Sequence, residues 1–268
     1  MTVSWGHRPL PSPPSRPTID EILVAGDGMP GADPALAWAM DRVAQTHEAL
    51  RLLRSEEEGH PVDTLVDASG PHRLLVVGHA APRDHGVDWS HLTSRLVHRV
   101  HGPLAVVPEE GAPSSPSIDR PVIVGLGSSG SDEGALELAA AEAARLGRPL
   151  RVVHAWLEPT GGPAYGRLDP VYARWVREGH REAAQTIVDE FAGRHPELIV
   201  DLQLLHGDPV HALSAVAAGA PLLVIGAGSR NVLTRAVNGS VSTPLAAHPP
   251  CPVIVVPEAD HGFEPGHR

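Results

Sequence analysis

The chain contains 268 residues and carries a formal net charge of −11 at pH 7. This acidic balance argues against a nucleic-acid-binding surface, which needs clustered positive charge. All 21 basic residues are arginines, and the lack of lysine excludes a phosphate-binding loop of the GxxxxGK[ST] type, in which the lysine contacts the phosphates. The single cysteine, Cys251, excludes an internal disulfide and fits a reducing compartment.

The N-terminal segment, residues 1–18, is rich in proline and has no apolar core of the kind found in signal peptides. No apolar run in the sequence approaches the roughly 18 residues that a membrane-spanning helix needs. We therefore expect a flexible tail over residues 1–18 and a cytoplasmic protein without membrane contact.

The first predicted elements follow this tail. The apolar run 22–25 predicts a strand, and Asp33-Pro34 predicts the start of a helix. Residues 48–58 are interpreted as a continuation of that helix, although residues 49–53 are also compatible with a remnant strand.

A fuller set of elements is predicted in the second part of the chain. Apolar runs indicate strands at 121–126, 150–156, 198–205, 221–225 and 253–256. Helices are predicted from an N-cap at Ser131 to Gly147, over residues 170–193, and after Asp208-Pro209. Strands that alternate with helices predict right-handed crossovers and a doubly wound, largely parallel sheet.

Two stretches of equal length repeat each other. Residues 59–78 and 207–226 share the same order of turn, helix and apolar run. Each is followed by an apolar strand that ends in proline, at 103–108 and 252–257. Such self-similarity indicates a tandem of two related domains.

The first copy is the shorter one. Ala44 to Gly59 spans 15 steps along the chain and Ala144 to Gly207 spans 63, a difference of 48 residues. We interpret the difference as deletion of the second strand, the second helix and most of the third strand. The predicted fold class is α/β, with two tandem doubly wound parallel-sheet domains of which the N-terminal one is truncated. The predicted organisation is a tail over 1–18, a shortened domain over 19–108, a linker over 109–118, a second domain over 119–258 and a flexible tail over 259–268.

The end of the second copy carries a spaced glycine motif. It reads Gly226-Ala-Gly-Ser229, nine residues, and then Gly239-Ser240-Val-Ser242. On these residues, and on the closing His-Pro-Pro-Cys-Pro before the last strand, the chain resembles a tandem universal stress protein over roughly residues 20–108 and 119–257. The resemblance implies five-stranded domains of the adenine-nucleotide alpha-hydrolase type, in a family where many members bind ATP.

The resemblance also implies which residues bind the nucleotide. Glycines would let backbone N–H groups approach the phosphates, Ser240 would lie near a helix N-terminus, and Arg230 would supply positive charge in place of lysine. Val153 on the second strand is the implied adenine contact. The candidate cofactor-binding residues are Gly127, Ser128, Val153, Gly226, Ser229, Arg230, Gly239, Ser240, Val241 and Ser242. The implied cofactor is ATP, in the C-terminal domain alone, with Mg²⁺ accompanying it.

The sequence departs from the family pattern at two positions. Ser229 stands where the motif has glycine, and Gly127 stands where the family's first strand ends in an aspartate that helps to hold the nucleoside. The first copy shows the opposite loss, because it keeps Asp27 but has Trp89-Ser-His91 where the motif has Gly-Ser. We therefore expect no nucleotide in the first copy.

The histidines and the cysteine admit a functional and a structural interpretation. A metal or pH-responsive site is one interpretation of His98 and His101, which are spaced to share a helical face, and of the altered loop that contains His79, His85 and His91. No matching cysteine or carboxylate cluster gives metal-ligand spacing in the sequence, so we favour scattered surface histidines and no metal. Cys251, between prolines before a strand, is interpreted as a structural thiol.

No catalytic constellation is recognisable in the sequence, so we predict a protein that is not an enzyme. The first hypothesis is a regulatory protein of the stress response that binds an adenine nucleotide through its C-terminal domain. The alternative is a scaffold that does not bind nucleotide and acts through protein partners, whose identity the sequence leaves open. Family pairing through the final strands, 104–107 and 253–256, implies an internal pseudo-dimer and leaves a homodimer open.

Overall fold

The computed structural model describes residues 18–25, 34–53, 61–79, 89–109, 120–127, 132–157, 170–228 and 241–257. In these ranges, strands and helices alternate along the chain. The strands are β1 Glu21–Ala25, β2 Ala49–Leu53, β3 Arg73–His79, β4 Leu104–Pro108, β5 Val122–Gly125, β6 Leu150–Trp156, β7 Val200–His206, β8 Leu223–Gly226 and β9 Val253–Val256. The helices are α1 Pro34–Thr46, α2 Pro61–Ala68, α3 Trp89–Leu96, α4 Glu133–Leu146, α5 Pro170–Arg194, α6 Pro209–Ala217 and α7 Ser242–Ala247.

The nine strands form one sheet in the order β2-β1-β3-β4-β9-β8-β5-β6-β7. All neighbours run parallel except β4 and β9, which are antiparallel. The predicted α/β class with a largely parallel, doubly wound sheet is confirmed. The predicted domain boundaries stay predictions, and residues 110–119, where the linker was placed, lie outside the described residues.

Helices cover both faces of the sheet. Side chains of α1, α4 and α5 pack on one face, and side chains of α2, α3, α6 and α7 pack on the other. Successive strand residues alternate between these two layers, as Ile22 and Leu23 do in β1. A strand that is buried on both faces needs apolar side chains throughout, which explains continuous apolar runs such as Val-Ile-Val in β5.

The two halves of the sheet have matching strand orders. From its outer strand to the centre of the sheet, the N-terminal half has the order β2-β1-β3-β4. The C-terminal half has the matching order β6-β5-β8-β9, and the additional strand β7 lies at its outer edge. Among the described residues, α5 and β7 have no counterpart in the N-terminal half. In the described residues, the N-terminal half is therefore shorter than the C-terminal half by one helix and the outermost strand.

The prediction that residues 48–58 prolong the first helix is wrong. Helix α1 ends at Thr46, and His47 adopts a left-handed φ of 62°, which a helix cannot continue. Residues 49–53 form β2, which pairs in parallel with β1. The remnant-strand alternative is confirmed, and the predicted deletion of the second strand is wrong because β2 occupies that place.

Several predicted boundaries of the second copy are confirmed, and one cap is corrected. Gly147 ends α4 with a φ of 61°, and the carboxylate of Asp208 accepts a 3.0 Å hydrogen bond from the backbone N–H of His211 at the start of α6. The predicted N-cap of α4, Ser131, lies outside the described residues, and the structure places Asp132 at that cap.

The predicted pairing of the two final strands is confirmed. Leu104 lies opposite Val255 and Val106 lies opposite Val253 in the antiparallel pair β4–β9. This pair closes the sheet into a single unit, because each strand would otherwise be an exposed edge.

A buried ion network crosses from one half to the other. The guanidinium of Arg42 on α1 contacts the carboxylate of Glu142 on α4 and forms 2.9 Å hydrogen bonds with Glu48. Glu142 also binds Arg145 at 2.8 Å. Burial lowers the pKa of Arg42, but Glu142 and Glu48 more than offset it, so the pKa is raised and the charge is retained.

No helix in the described part of the chain has the length and apolar character needed to cross a membrane.

Candidate functional site

The topology of the sheet places a candidate ligand crevice at the carboxyl ends of β5 and β8. From β5 the chain proceeds outward to β6 and β7, and it then returns to the other side of β5 to form β8. The strand order therefore reverses between β5 and β8, and doubly wound folds bind ligands at such a reversal. Gly127 follows β5 at this edge, and Gly226 is the last residue of β8.

The carboxylate of Asp132 lies in this crevice. Its residue is 6% exposed, and its Oδ2 accepts a 2.6 Å hydrogen bond from the backbone N–H of Gly127. A methyl group built at Gly226 would lie 2.9 Å from Oδ1, so the carboxylate rests against both glycines. Sequence reasoning missed this residue because helix-capping rules place an aspartate here in the first turn and not over the strand ends.

Two predicted site residues, Val241 and Ser242, lie at the start of α7. Val241 is the N-cap residue, and Ser242 is 2% exposed. The hydroxyl of Ser242 donates a 3.0 Å hydrogen bond to the carbonyl oxygen of Ala227. Ser242 thus joins the two ends of the segment that carries the rest of the glycine motif, and its predicted donation to a phosphate stays a prediction.

Val153, the implied adenine contact, is completely buried in β6. Its side chain belongs to the core layer that includes Leu213 of α6 and Leu223 of β8. In this position it contacts protein side chains and lines no open crevice.

Five further predicted residues lie outside the described residues: Ser128, Ser229, Arg230, Gly239 and Ser240. Asp27 and His85 of the first copy lie outside them as well. Their assignments stay predictions. Of the predicted set, the structure brings Gly127 and Gly226 together at one crevice.

A group of aromatic rings lies beside this crevice, at the carboxyl end of β6. His154 is 4% exposed, and its Nδ1 lies 2.9 Å from the carbonyl oxygen of Leu126, so Nδ1–H donates. A neutral imidazole has one donor and one acceptor, so Nε2 of His154 accepts from Nδ1–H of His180 at 3.0 Å. His180 stacks on Trp156, which packs against His206. No sequence signal could pair His154 with His180, because they are far apart in the chain and on different elements.

Burial lowers the pKa of His154, and burial together with the neighbouring His154 lowers the pKa of His180. Both imidazoles bind protons more weakly in the folded protein than in the unfolded chain, where the pKa of a histidine has its ordinary value of 6.5. The contribution of this histidine pair to the free energy of unfolding is therefore complete above about pH 6.5, and it decreases as the pH falls below that value.

We expect His154→Gln to flatten the decline in unfolding free energy between pH 8 and pH 5, because the variant removes one group that must charge on unfolding. Urea denaturation at a series of pH values measures the slope. His72→Gln is the matched control for removing an imidazole from an exposed position. Identical slopes in His154→Gln and the wild type would contradict the expectation.

In the described part of the chain, no group of three or more His, Cys, Asp or Glu side chains is arranged so that it could hold a metal ion. His98 and His101 do not share a helical face, because α3 ends at Leu96. Instead, Nε2 of His98 lies 2.8 Å from the hydroxyl oxygen of Thr243 on α7. This contact links α3 and α7, so the predicted shared helical face is wrong.

Cys251 is completely buried, and burial raises the pKa of its thiol to about 12. A thiol with such a pKa is almost fully protonated at neutral pH and is a poor nucleophile. The structure supports a structural role for Cys251.

The fold defines a doubly wound α/β protein whose strand order reverses between β5 and β8. A model of the universal stress protein family matches residues 120–257, which is half of the chain. The chain belongs to the universal stress protein family, as the sequence resemblance predicted.

Individual relatives agree with this assignment. A universal stress protein of Mycobacterium tuberculosis is 31% identical over 200 residues, covering 74% of this chain and 62% of the relative. A universal stress protein of Mycolicibacterium smegmatis is 29% identical over 197 residues, covering 72% of this chain and 64% of the relative. The chain thus matches less than two thirds of the length of these relatives.

Solved structures show the same fold. A universal stress protein from Archaeoglobus fulgidus aligns with a TM-score of 0.54 and 18% identity, covering 84% of this chain and 75% of that chain. A protein of unknown function from Pseudomonas aeruginosa aligns with a TM-score of 0.56 and 16% identity, covering 90% and 82%.

Proposed function

We propose that this chain is a regulatory protein of the stress response that binds an adenine nucleotide, ATP with Mg²⁺, in the crevice of its C-terminal half. The observation that carries the proposal is the position of Gly226, the first glycine of the spaced motif, at the reversal between β5 and β8. Backbone N–H groups can approach a phosphate closely where glycines leave no side chain in the way.

The residues around the crevice fit a nucleoside. The carboxylate of Asp132 lies against Gly127 and Gly226 at the two strand ends, and it can accept hydrogen bonds from sugar hydroxyls. Arg230 and Ser240 of the motif are the proposed phosphate contacts. The proposal assigns binding and no catalytic step, and it assigns no nucleotide to the N-terminal half.

We expect saturating Mg-ATP to raise the thermal midpoint of the purified protein. A ligand present at 100 times its dissociation constant, and bound only to the folded state, adds about 2.7 kcal/mol, which is a rise of roughly 5–10 °C for a protein of this size. Differential scanning calorimetry with and without nucleotide measures the rise. Ser240→Ala and Gly239→Val should abolish it, because both alter the proposed phosphate contacts.

Asp27→Asn, in the first copy, is the matched control and should keep the full ATP-dependent rise. A midpoint that does not move at saturating Mg-ATP would overturn the nucleotide proposal. A rise that persists in Ser240→Ala would place the nucleotide elsewhere in the chain.

The second candidate function is a scaffold that binds no nucleotide and acts through protein partners. Two contacts favour it: the Asp132 carboxylate already fills part of the crevice, and the Ser242 hydroxyl is engaged by Ala227. It predicts a midpoint independent of ATP and a partner recovered by pull-down. In both candidates we propose a cytoplasmic tandem whose halves pair as a pseudo-dimer through β4 and β9, on the support of the matching strand orders.

A further inference from the structure

We propose that the outer edge of β2 docks an extended segment of a partner protein. The segment pairs in parallel with β2 and places an acidic residue, flanked by apolar ones, opposite Arg51. The inference goes beyond the proposed nucleotide binding and does not depend on it. It is carried by a comparison of two equivalent strand edges in the two halves of the sheet.

Strands β2 and β6 occupy equivalent positions in the two halves. Residues 22–24 of β1 lie opposite residues 50–52 of β2, and residues 122–124 of β5 lie opposite residues 150–152 of β6. Both pairs are parallel, and the outer strands have the same pattern, Leu-Arg-Leu in β2 and Leu-Arg-Val in β6. The surroundings of β6 therefore show what fits against a strand of this pattern.

The edge of β6 is covered, and the edge of β2 is exposed. Leu150 and Val152 are completely buried in a core layer that includes Phe191 of α5, and β7 pairs with the outer edge of β6. Their counterparts in β2, Leu50 and Leu52, are 36% and 37% exposed. Among the described residues, no strand pairs with the outer edge of β2. The N-terminal half thus presents an apolar strand edge that the C-terminal half covers with its own chain.

The backbone of this edge is oriented to bind one more strand. The N–H of Ala49 donates to the carbonyl oxygen of Asp20 at 3.2 Å, so Ala49 faces β1, and the alternation of a strand turns the groups of Leu50 outward. In β6, the equivalent N–H of Leu150 donates to the carbonyl oxygen of Ile199 at 2.8 Å, directly before β7. The outer edge of β2 therefore offers the same hydrogen-bonding positions that β6 uses to bind β7.

The charges at the edge indicate which side chain the docked segment carries. Arg151 of β6 lies opposite Asp201 of β7, and the two form a 2.9 Å ion pair. Its counterpart Arg51 is half exposed and shares the carboxylate of Glu21 with Arg73, at 3.1 and 2.9 Å. Two guanidinium groups on one carboxylate leave an excess of positive charge. An acidic residue on a neighbouring strand balances this charge, as Asp201 does in the other half.

The same charges disfavour a second copy of this chain at the edge. Two β2 strands that meet about a twofold axis run antiparallel, and the outward groups of Leu50 and Leu52 are all used when these two residues pair across the axis. This register sets Arg51 directly opposite its own counterpart, and like charges in that position are destabilising. A parallel segment with an acidic residue fits the edge better.

The probe for this edge is a synthetic peptide of residues 184–206, which contains the end of α5 and all of β7. Fluorescence anisotropy measures its binding to the full chain. Leu52→Pro removes an N–H that points outward, two residues after that of Leu50, and proline is tolerated on an edge strand in this orientation. We expect the variant to weaken peptide binding about tenfold, through the loss of a backbone hydrogen bond. Cooperative thermal unfolding verifies its fold.

An exchange of charges tests the register of the docked segment. Arg51→Glu should weaken binding of the peptide about fivefold and should restore the affinity when the peptide carries Asp201→Arg. Arg99→Glu is the matched control, because Arg99 is also an exposed arginine with one acidic partner, Asp63. This control should bind each peptide as the wild type does.

The docking site would be overturned if the peptide showed no saturable binding, or if it bound Leu52→Pro and Arg51→Glu as tightly as the wild type. Sedimentation velocity of the chain without peptide tests a second copy, since a dimer that Leu52→Pro dissociates would replace the partner protein. Peptide binding that requires removal of residues 1–17 would assign the edge to the chain's own N-terminal segment, and this result would also contradict the proposal. None of these results bears on the nucleotide site, which the Mg-ATP measurement tests separately.

Discussion

Gly102→Ala is expected to destabilise the protein by about 3 kcal/mol or more, at the upper end of the range for overpacked sites. A methyl group at this position would lie 1.8 Å from the carbonyl oxygen of Gly70, which is backbone and cannot rotate away. The variant must therefore separate the segment before β4 from the turn before β3. Chemical denaturation measures the loss in unfolding free energy.

Neither segment can move without losing hydrogen bonds. The carbonyl oxygen of Gly70 accepts from the N–H of Arg73 at 3.0 Å, and the N–H of Leu75 donates to the carbonyl oxygen of Pro103 at 3.0 Å. Gly179→Ala in α5 is the matched control, because a methyl group there meets nothing within 4 Å. It should stabilise the protein by about 0.5–1 kcal/mol through better helix propensity. Equal effects of the two substitutions would contradict the steric argument.

Arg42→Met is expected to destabilise the protein by about 3–5 kcal/mol, because it removes one partner from a buried ion network. Methionine keeps much of the side-chain volume, so the effect is one of charge. Glu48 and Glu142 lose their shared guanidinium while the side chains of Arg42 and Glu142 are only 5% and 2% exposed. Urea denaturation measures the difference in unfolding free energy.

Arg99→Met is the matched control for this network. Arg99 pairs with Asp63 at 2.6 Å, but both side chains are about half exposed, so we expect a loss below about 1 kcal/mol. A loss in Arg42→Met no larger than that in Arg99→Met would show that the network contributes little. A double variant, Arg42→Met with Glu142→Leu, should recover part of the loss because it removes a buried carboxylate that has lost one of its two arginine partners.

The strands of the second copy could be predicted because each is an apolar run between turn residues. The strand β2 was harder, since Ala-Leu-Arg-Leu-Leu reads equally well as the end of a helix. What decides in favour of the strand is the left-handed turn at His47 and the free edge of β1, and both are properties of the folded chain. The repeated segments in the sequence indicated two halves. The strand β2 of the N-terminal half could be recognised only from its pairing with β1 in the folded chain.

The candidate site was predictable only in part. The spacing of the glycine motif placed Gly226 at the crevice, because a residue that ends a strand of a parallel sheet lies at the carboxyl edge, where such sheets bind ligands. The position of Asp132 was not predictable, because its side chain leaves the helix it should cap and binds the N–H of Gly127 five residues earlier. The burial of Val153 follows from the position of β6 inside the sheet, where both faces of the strand are covered by helices, and its assignment as an adenine contact stays a prediction.

The antiparallel joint between β4 and β9 has a consequence for biosynthesis. Strand β4 is buried and apolar in the folded protein, but its partner β9 is synthesised about 150 residues after it. At about 5–20 residues per second, a nascent chain displays the edge of β4 for roughly 7–30 seconds before β9 emerges, some 150 residues later. During this interval the unpaired N–H and C=O groups of β4 can pair with a strand of another nascent chain.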